Sequence, residues 1–474
     1  MEYQKYKNII TCFNPDNVWC DEYGDVEYQA FPRMLEELNA SFEGYRKEGI
    51  SCLGLFMPNS VLQAIVVLYL LSENINFFIA SGNSNGSPQF PSFCDKILTV
   101  APRTSRERSL TDQINWSPNP GYVKNKCTPP PNSGLAYFSS SGTSGAAKYI
   151  CFKAANLIRN AKKCIDRFSV YSGSRLLITV PVSHMYGMGV GLLPALIMGA
   201  NACLIEKNNV IKFFRYVAEF NPDIVLITPM LAKMILTLNK DIPRRRIYIS
   251  AGERIDPRTY RDFESRYGLL VNLYGCTELG AIGTSPLDEA NATSRLMGVI
   301  HPLPDVSVLI NEGPHSEICV CHDAGFEGYA GQNGEIQPPE LSDQAYYRTK
   351  DAGRSHQNDG FVISGRIDNC VNRSGFLLSL DEVESKLKTL FDGFGQIVVF
   401  EEADTGRILP RLIAVCETAG DTGVGDMFVK DICRRHMSRY AVPDEFIYVQ
   451  TIPKLHNGKV DRIFVKNNYN SLKQ

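Results

Sequence analysis

The sequence lacks an excess of charge of either sign. Its 474 residues include 49 lysine and arginine residues and 51 aspartate and glutamate residues, so the formal net charge is −2. A protein that mainly binds nucleic acid, or that attaches to acidic lipid through a polybasic surface, needs a marked positive excess. We therefore predict no nucleic-acid partner, although the balance leaves room for a local basic patch that binds a phosphorylated ligand.

Long apolar runs are also missing. Met1–Asn8 is polar and has none of the apolar core of a signal peptide. The longest apolar stretches, Val61–Leu71 and Leu192–Ile205, are interrupted or too short to span a bilayer. We predict a cytoplasmic protein with no membrane span, in which these stretches form buried helices or strands.

Cysteine is present, but without the spacing of a disulfide framework or a zinc site. The 14 cysteines are scattered and no C-x-x-C pair occurs. Cys319 and Cys321 share one face of a predicted strand and precede His322, but no second pair of ligands lies nearby in the sequence. A chain of this length needs no disulfides, so we interpret the cysteines as reduced and buried.

From residue 50 onward, short apolar strands alternate with amphipathic helices. This alternation predicts an α/β fold, whose large N-terminal lobe has parallel or mixed sheets flanked by helices. The predicted elements include, in chain order, Cys52–Met57, Ser60–Glu73, Asn76–Ala80, Leu176–Pro181, Gly189–Met198, Ala202–Ile205, Phe213–Phe220, Ile224–Thr228 and Met230–Asn239.

The pattern changes after Gly365 and predicts a small α+β domain. Its predicted elements are helix Leu380–Leu390, strands Gln396–Glu401 and Arg411–Glu417, helix Val424–Tyr440 and strand Glu445–Gln450. We therefore predict two domains, 1–366 and 367–474, joined by a hinge near Ile367–Asn369. Two unequal lobes joined by a hinge favour a cleft that closes around a ligand.

The segment from Tyr137 to Lys148, YFSSSGTSGAAK, carries the clearest chemical signal. Its glycines allow backbone N–H groups to turn toward an anion, its hydroxyls add donors, and its lysine adds a mobile positive charge. The spacing from Gly142 to Lys148 is not that of a Walker loop, and Tyr149 stands where Ser or Thr would follow the lysine. A polyphosphate loop is the better interpretation, and a solvated linker is the alternative.

This segment resembles the phosphate loop of the adenylate-forming superfamily, which comprises acyl- and aryl-CoA synthetases, peptide-synthetase adenylation domains and luciferases. The family pattern is roughly (S/T)-S-G-(S/T)-T-G-x-P-K-G, from which Ala147 and Tyr149 depart. The resemblance implies that ATP is bound in the N-terminal domain, and that Thr143 also contacts Mg²⁺. The implied phosphate-binding residues are Ser140, Ser141, Gly142, Thr143, Ser144, Gly145 and Lys148.

Two further segments extend the resemblance along the N-terminal domain. Residues 272–278, NLYGCTE, resemble N-x-Y-G-x-T-E, and residues 250–254, SAGER, resemble an A-G-E segment that lines the pocket. The implied roles are adenine contact for Tyr274, α-phosphate contact for Thr277, and Mg²⁺ binding with a catalytic role for Glu278. A carboxylate combined with phosphate oxygens suits octahedral Mg²⁺. Nucleotide-binding roles are also implied for Gly252, Glu253, Asn272 and Gly275.

The C-terminal motifs follow in the family order. Residues 348–351, RTKD, resemble R-T-G-D, which implies that Asp351 binds the ribose hydroxyls, and Lys350 replaces the glycine. Residues 364–368, SGRID, resemble a hinge with Arg366 near the ribose and Asp368 as the pivot. Gly375 matches the glycine that borders the thiol tunnel. Residues 453–462, PKLHNGKVDR, resemble the segment with the catalytic lysine, here Lys459, so the resemblance implies a mobile C-terminal domain.

The nature of the acid has fewer signals. Residues 181–187, PVSHMYG, resemble P-x-x-H-x-x-G of CoA ligases, where His184 would be a catalytic residue that gates the acyl pocket. Adenylation domains for α-amino acids usually place an aspartate nearby, but no residue from Val182 to Val190 is acidic. An unpaired buried ammonium is costly, so we predict an aryl or acyl acid without an α-amine.

The resemblance therefore implies an ATP- and Mg²⁺-dependent ligase that forms an acyl-AMP. The acyl group then passes to the pantetheine thiol of CoA or of a carrier protein. Three alternatives stay open: an adenylating enzyme for an amino acid, an enzyme that uses another nucleophile, and a non-catalytic nucleotide-binding relative. A nicotinamide-dependent oxidoreductase is excluded, because no G-x-G-x-x-G follows a predicted strand with an acidic residue about twenty positions later.

Overall fold

The computed structural model describes the chain apart from residues 1–8, 13, 50, 81–87, 101–112, 126, 140–148, 206–208, 243–245, 254, 311–315, 374–375, 403–410, 419–425, 456–458 and 473–474, and describes only the backbone at 289, 368, 370, 372–373, 376–377 and 426. It forms two compact units. The first comprises Met1–Val308 and Val320–Tyr347, and the second comprises Leu309–Cys319 and Arg348–Gln474. The domain boundary predicted between residues 366 and 367 stays a prediction.

Strands account for much of both units. In chain order they are β1 (Val18–Asp21), β2 (Gly24–Glu27), β3 (Leu53–Phe56), β4 (Phe77–Ile79), β5 (Lys96–Val100), β6 (Ile114–Pro118), β7 (Leu135–Ser139), β8 (Tyr149–Lys153), β9 (Arg175–Ile178), β10 (Asn201–Leu204), β11 (Ile224–Ile227), β12 (Ile247–Ser250), β13 (Leu269–Cys276), β14 (Gly280–Thr284), β15 (Val299–Pro302), β16 (Ser307–Ile310), β17 (Ser316–Cys321), β18 (Gly328–Ala330), β19 (Ile336–Gln337), β20 (Tyr347–Ser355), β21 (Phe361–Arg366), β22 (Cys370–Arg373), β23 (Phe376–Ser379), β24 (Phe394–Glu402), β25 (Arg411–Thr418) and β26 (Glu445–Val449).

The α-helices lie between these strands. In chain order they are α1 (Phe31–Ser41), α2 (Glu43–Glu48), α3 (Val61–Ser72), α4 (Ala154–Phe168), α5 (Leu193–Met198), α6 (Val210–Phe220), α7 (Pro229–Leu238), α8 (Pro257–Tyr267), α9 (Ala292–Met297), α10 (Leu380–Leu390), α11 (Asp426–His436) and α12 (Arg462–Leu472). A π-helical turn, Gly187–Leu192, leads directly into α5.

One sheet of the first unit has a parallel centre. Its strands follow the order β15–β14–β13–β12–β11–β9–β10–β1–β2, and the pairs β10–β9, β9–β11, β11–β12 and β12–β13 are parallel. Strand Ile224–Ile227 is typical, because all four residues are apolar and buried. Phe213 of α6, Ile235 of α7 and Phe263 of α8 pack in one core with Val225 and Tyr248 of the sheet.

A second sheet of the first unit has the order β19–β18–β8–β7–β4–β3–β5–β6. Its neighbour α3 is apolar on every side, and eleven of its twelve residues are buried. This helix begins at Val61 because the Ser60 side chain accepts a hydrogen bond from the backbone N–H of Gln63 at 3.2 Å. Strands β7 and β8 form an antiparallel pair at the middle of this sheet.

The second unit is an α+β structure. It contains the strand order β16–β17–β20–β21, the hairpin β22–β23, and the three-stranded sheet β24–β25–β26. Helix α10 begins after Ser379, whose hydroxyl accepts from the N–H of Glu382 at 3.3 Å. Leu387 of α10, Val429 of α11 and Ala414 of β25 lie in one core.

The predicted fold class is confirmed. The N-terminal part has large parallel and mixed sheets flanked by helices, and the C-terminal part is α+β. The predicted elements are present within a few residues of their predicted ends, except that helix Gly189–Met198 is divided into a π-helical turn and α5. The predicted start of helix Val424–Tyr440 lies outside the described residues. No helix among the described residues is both long and apolar enough to cross a membrane.

Candidate active site

Glu278 lies at the tip of the β13–β14 hairpin in the first unit, next to Thr277. The two strands approach each other so closely that a Cβ on Gly275 would lie 2.2 Å from the carbonyl oxygen of Gly280. Such a distance excludes any side chain at this position. The glycine of the N-x-Y-G-x-T-E motif is therefore required by the turn itself.

A pair of hydrogen-bonded tyrosines lies beside the Glu278 carboxylate, and one of them contacts it directly. The Tyr329 hydroxyl donates to Oε1 of Glu278 at 2.9 Å, and the hydroxyls of Tyr329 and Tyr347 are also 2.9 Å apart. The ring of Phe326 packs edge-on against both tyrosine rings. Burial, reinforced by the nearby Glu278, raises the pKa of both phenols above the ordinary tyrosine value, so both remain protonated donors at neutral pH.

The backbone after Glu278 is held from two further directions. Nδ1 of His322 accepts from the N–H of Ala324 at 3.0 Å, so Nε2 carries the proton and donates to the carbonyl of Leu279 at 2.9 Å. Burial lowers the pKa of His322 to about 4, which keeps the ring neutral. Nδ2 of Asn160, on α4, donates to the carbonyls of Leu279 and Ala281, each at 3.3 Å.

The predicted phosphate loop connects β7 to β8. The residues assigned to it lie outside the described residues, but its two ends are fixed, because Ser139 and Tyr149 are paired across the antiparallel strands. The assigned residues in question are Ser140, Ser141, Gly142, Thr143, Ser144, Gly145 and Lys148.

Strand β18 contacts both β8, which follows the phosphate loop, and the turn that carries Glu278. Tyr329 of β18 is paired with Ile150 of β8, only two residues after Lys148. The same Tyr329 side chain reaches the carboxylate of Glu278. The structure therefore brings Glu278 close to the point at which the chain leaves the loop.

Tyr149, which replaces the final glycine of the family loop, is a buried anchor. Its side chain is 4% exposed, and its ring packs edge-on against those of Phe78 and Phe93. Its hydroxyl accepts a hydrogen bond from Nε2 of Gln332 at 2.8 Å. These contacts fix the first residue of β8 in the absence of the family's proline and glycine.

The pocket-lining segment follows β12. Ser250, the last residue of β12, is paired with Asn272 of β13, so Gly252 and Glu253 lie at the carboxyl ends of parallel strands, where ligands of open α/β sheets bind. Gly252 has a φ of +95°, and a Cβ there would meet no atom within 4 Å. Its conformation requires glycine and it borders open space, whereas Tyr274 is only 8% exposed.

His184 is exposed at the start of the turn that leads into α5. Two residues later, the hydroxyl of Tyr186 hydrogen-bonds to the carbonyls of Ile249 at 2.6 Å and Ile227 at 3.2 Å. These carbonyls lie at the carboxyl ends of β12 and β11. The segment of His184 is therefore attached to the same sheet edge as Gly252.

In the second unit, Asp351 and Arg366 are brought together. Nη1 of Arg366 lies 3.3 Å from Oδ1 of Asp351, across the β20–β21 pair. Lys350, which replaces the glycine of the family motif, has a φ of +61°, in the left-handed region that favours glycine. Glu317 stabilises this turn, because its carboxylate accepts from Nε of Arg348 at 2.7 Å and from the N–H of Lys350 at 3.0 Å.

Lys459 is exposed in the segment of the second unit that precedes α12. Its carbonyl accepts from the N–H of Leu455 at 2.7 Å, and Lys454 forms an antiparallel bridge with Val460. The base of the segment is Arg462, whose guanidinium makes two 2.6 Å hydrogen bonds to the carboxylate of Glu384. The lysine is thus presented to solvent from an anchored base.

Asp381 connects this base to the predicted hinge. Its Oδ1 accepts from Nδ2 of Asn369 at 2.7 Å and from Nη2 of Arg462 at 3.2 Å, and its Oδ2 accepts from the N–H of Arg366 at 3.0 Å. Of the predicted pivot Asp368 only the backbone is described, and Gly375 lies outside the described residues.

No motif in the sequence marks Asn160, His322, Tyr329, Tyr347 or Asp381 as functional residues. Each acts through partners that are distant in sequence, such as Tyr329 and Glu278, which are 51 residues apart. Tyr347 directly precedes the segment that resembles R-T-G-D, but nothing in the sequence shows that its hydroxyl meets that of Tyr329.

A model of the family described as AMP-binding enzyme matches residues 88–333, which is more than half of the chain. The chain belongs to the AMP-binding enzyme family. The matched region of this AMP-binding enzyme contains the phosphate loop, Gly252, Glu278 and Tyr329. Asp351, Arg366 and Lys459 lie beyond it, so their proposed roles rest on the motif resemblance.

Curated relatives of this AMP-binding enzyme include acyl-CoA synthetase ALT10 of Alternaria alternata, 25% identical over 71% of this chain and 65% of that protein. Bacitracin synthase 1 of Bacillus licheniformis is 24% identical over 74% of the chain, which spans only 7% of that protein. The D-alanine–D-alanyl carrier protein ligase of Listeria monocytogenes is 23% identical over 68% of each protein.

Among solved structures, the fold is similar to that of ATP-bound MatB from Rhodopseudomonas palustris. The TM-score is 0.80 and the sequence identity 17%, with both chains covered completely. At this identity the likeness shows the shared fold alone.

Proposed function

We propose that this AMP-binding enzyme activates a carboxylic acid with ATP and transfers the acyl group to a thiol. The acid attacks the α-phosphorus of ATP, an acyl-AMP forms, and pyrophosphate leaves. The thiol of a pantetheine group then attacks the acyl carbon, a thioester forms, and AMP leaves. Family membership and the order of the motifs support this proposal.

One observation carries the proposal most strongly. The Tyr329 side chain contacts the Glu278 carboxylate from a strand that is paired with the first residues after Lys148. A carboxylate beside the exit of a glycine- and hydroxyl-rich loop is what a nucleotide with a bound divalent ion requires. The arrangement connects two motifs that are 130 residues apart.

The side chain of Glu278 fits a Mg²⁺ ligand. Its Oε1 accepts from Tyr329, and within the described residues no hydrogen bond or ion pair reaches Oε2. Magnesium is usually bound by one or two carboxylates together with substrate phosphates and waters. When bound, the ion would neutralise charge on the phosphates.

The second unit supplies the other proposed roles. Asp351 would accept hydrogen bonds from the ribose hydroxyls, and Arg366 orients its carboxylate through the 3.3 Å contact. Lys459 would stabilise the negative charge that develops between the carboxylate and the α-phosphate. Its exposure on an anchored segment suits a group that must approach a ligand.

An aryl or acyl acid without an α-amine is the proposed substrate class. No acidic side chain lies between Val182 and Val190, the segment that is attached to the edge of the sheet beside Gly252. An ammonium group buried there would lack a local counter-ion. The relatives include both CoA and carrier protein ligases, so CoA and a phosphopantetheinyl carrier protein are both proposed acceptors.

An amino acid is the second candidate substrate. It is favoured by the similarity to the D-alanine–D-alanyl carrier protein ligase and to bacitracin synthase 1. For such a substrate, the counter-ion of the ammonium would have to come from outside the Val182–Val190 segment.

Exchange of labelled pyrophosphate into ATP tests the proposal. Aryl, short-chain, medium-chain and long-chain acids would be compared with D- and L-amino acids, each with Mg²⁺ and with EDTA. We expect acid-dependent exchange only with Mg²⁺, and only with acids that lack the amine. Exchange restricted to amino acids would overturn the substrate class, and no acid-dependent exchange with any of them would overturn the proposed reaction. Adding CoA then shows whether a thioester forms with this acceptor.

A further inference from the structure

The two hydroxyl contacts at Glu278 have a definite direction. An ionised carboxylate can only accept hydrogen bonds, so the single proton of the Tyr329 hydroxyl points to Oε1 of Glu278. The Tyr329 oxygen must then accept from the Tyr347 hydroxyl, 2.9 Å away. The result is a directed chain from Tyr347 through Tyr329 to one oxygen of Glu278.

The positions of both tyrosines are fixed by independent contacts. Tyr329 is paired with Ile150 in the sheet, and the Phe326 ring lies 5.0 Å from the Tyr329 ring and 5.4 Å from the Tyr347 ring. The N–H of Phe326 also donates to the backbone carbonyl of Glu278 at 2.9 Å. The same short segment therefore holds both the backbone and the side chain of Glu278.

We propose that Tyr329 and Tyr347 are positioning residues that hold Oε1 of Glu278 and thereby keep Oε2 directed toward the metal ion of the nucleotide. This inference rests on the proposed function and adds to it the residues that orient the metal ligand. A carboxylate with one oxygen already hydrogen-bonded loses less rotational freedom when it binds an ion. Outer partners of this kind typically change metal affinity by about 10- to 100-fold when they are removed.

The inference predicts a defect that depends on the metal. In Tyr329→Phe the ring and its packing against Phe326 remain, but the donor to Glu278 is lost. In Tyr347→Phe the donor to Tyr329 is lost, and Tyr329 still reaches the carboxylate. We expect about a tenfold loss of Mg²⁺-dependent nucleotide affinity in the first variant and a smaller loss in the second.

Tyr346→Phe is the matched control. It removes the same hydroxyl from the neighbouring residue, whose hydrogen bonds with Ser342 are made by its backbone N–H and carbonyl. We expect this variant to bind nucleotide as the wild type does, so the effects at positions 329 and 347 would not reflect a general loss of phenols near β20.

The experiment measures ATP binding by calorimetry, once with Mg²⁺ and once with EDTA, for the wild type and the three variants. The expected result for Tyr329→Phe is weaker binding with Mg²⁺ and unchanged binding with EDTA. Equal loss under both conditions would show a general disturbance of the fold, and no loss under either would show that the hydroxyl is dispensable. Either result overturns the inference.

A titration of Mn²⁺ by electron paramagnetic resonance, in the presence of ATP, provides a second readout that needs no turnover. The number of bound Mn²⁺ ions should remain one per nucleotide while the dissociation constant rises in Tyr329→Phe. The proposed function is tested separately by acid-dependent exchange in the wild type. If the variants lose Mg²⁺-dependent binding as expected but the wild type shows no acid-dependent exchange, the inference about Tyr329 and Tyr347 stands and the proposed reaction is overturned.

Discussion

The turn that carries Glu278 and the segment that carries Lys459 are built in opposite ways. Glu278 is contacted by Tyr329 and Phe326, and the next carbonyl is held by His322 and Asn160. Lys459 is exposed, and the segment that follows it is attached through the contact of Arg462 with Glu384. The difference indicates that the proposed metal ligand is held in place by its neighbours, whereas the proposed catalytic lysine is presented at the surface of its unit.

The largest expected effect concerns the segment that carries Lys459. Lys459→Ala should reduce acid-dependent pyrophosphate exchange by about 10²- to 10³-fold, because one charge that stabilises the transition state is lost. The folded state should be unaffected, since the side chain is exposed. Exchange rates and the unfolding midpoint check both statements.

Lys454→Ala is the control for Lys459→Ala. Lys454 is also exposed, and its bridge partner Val460 adjoins Lys459, so the two variants remove equal charge from one segment. If both variants lower the exchange rate equally, the loss is caused by the reduced positive charge of the whole segment, and Lys459 has no special role.

The next largest effect is expected at His322, which contacts the turn that carries Glu278. Burial lowers the pKa of His322 to about 4, below the ordinary histidine value of 6.5. Between pH 6.5 and 4 the unfolded chain therefore takes up a proton that the folded chain does not, so the free energy of unfolding falls as the pH falls through this window. The contribution of this one group reaches about 3 kcal/mol at the acid end.

Urea unfolding of the wild type and His322→Gln between pH 7 and pH 4 measures this contribution. Carboxylates contribute equally to both proteins, so their difference isolates the histidine. The stability advantage of the wild type should shrink steadily as the pH falls. A difference that is independent of pH would mean that His322 titrates normally in the folded state.

A smaller effect is expected at the base of the lysine segment. Arg462→Met would leave Glu384, whose side chain is 10% exposed, without its charged partner. Because the arginine itself is 40% exposed, we expect a loss of about 2 kcal/mol, less than for a fully buried pair.

The double variant Arg462→Met with Glu384→Gln tests this explanation. The glutamine removes the unpaired charge and can still accept the hydrogen bond from the N–H of Val399. It should recover part of the stability lost in the single variant. No recovery in urea unfolding would show that packing by the arginine, and not the unpaired charge, explains the loss.

The smallest expected effect is a gain. Lys350 adopts a φ of +61°, which costs a residue with a Cβ roughly 1 kcal/mol, so Lys350→Gly should raise the free energy of unfolding by up to about 1 kcal/mol. Lys386→Gly, within α10, is the contrasting control and should be destabilising by a similar amount. A loss of stability in Lys350→Gly would show that the lysine side chain makes a stabilising contact.

The sequence predicted best what depends on neighbouring residues. Helix Leu380–Leu390 was predicted to its last residue, because Leu380, Val383 and Leu387 repeat at helical spacing. The sequence also suggested that Lys350 departs from the family pattern. Only the structure shows that this lysine adopts the left-handed backbone conformation that favours glycine.

What the sequence could not predict depends on register and distant pairing. The need for glycine at position 275 follows from the approach of Gly280, which is decided by the irregular register of β13 and β14. The contact between Tyr329 and Glu278 depends on the pairing of β18 with β8. Neither the approach of Gly280 to Gly275 nor the pairing of β18 with β8 produces a periodic signal along the chain.

Asn160 has a consequence for how changes spread through the first unit. It projects from α4, which continues directly from β8, and its amide lies between two glycines, Gly189 of the π-helical turn and Gly280 of the hairpin. One short side chain thus forms a junction of α4, the π-helical turn and the hairpin, so removing its amide would loosen the packing of all three segments.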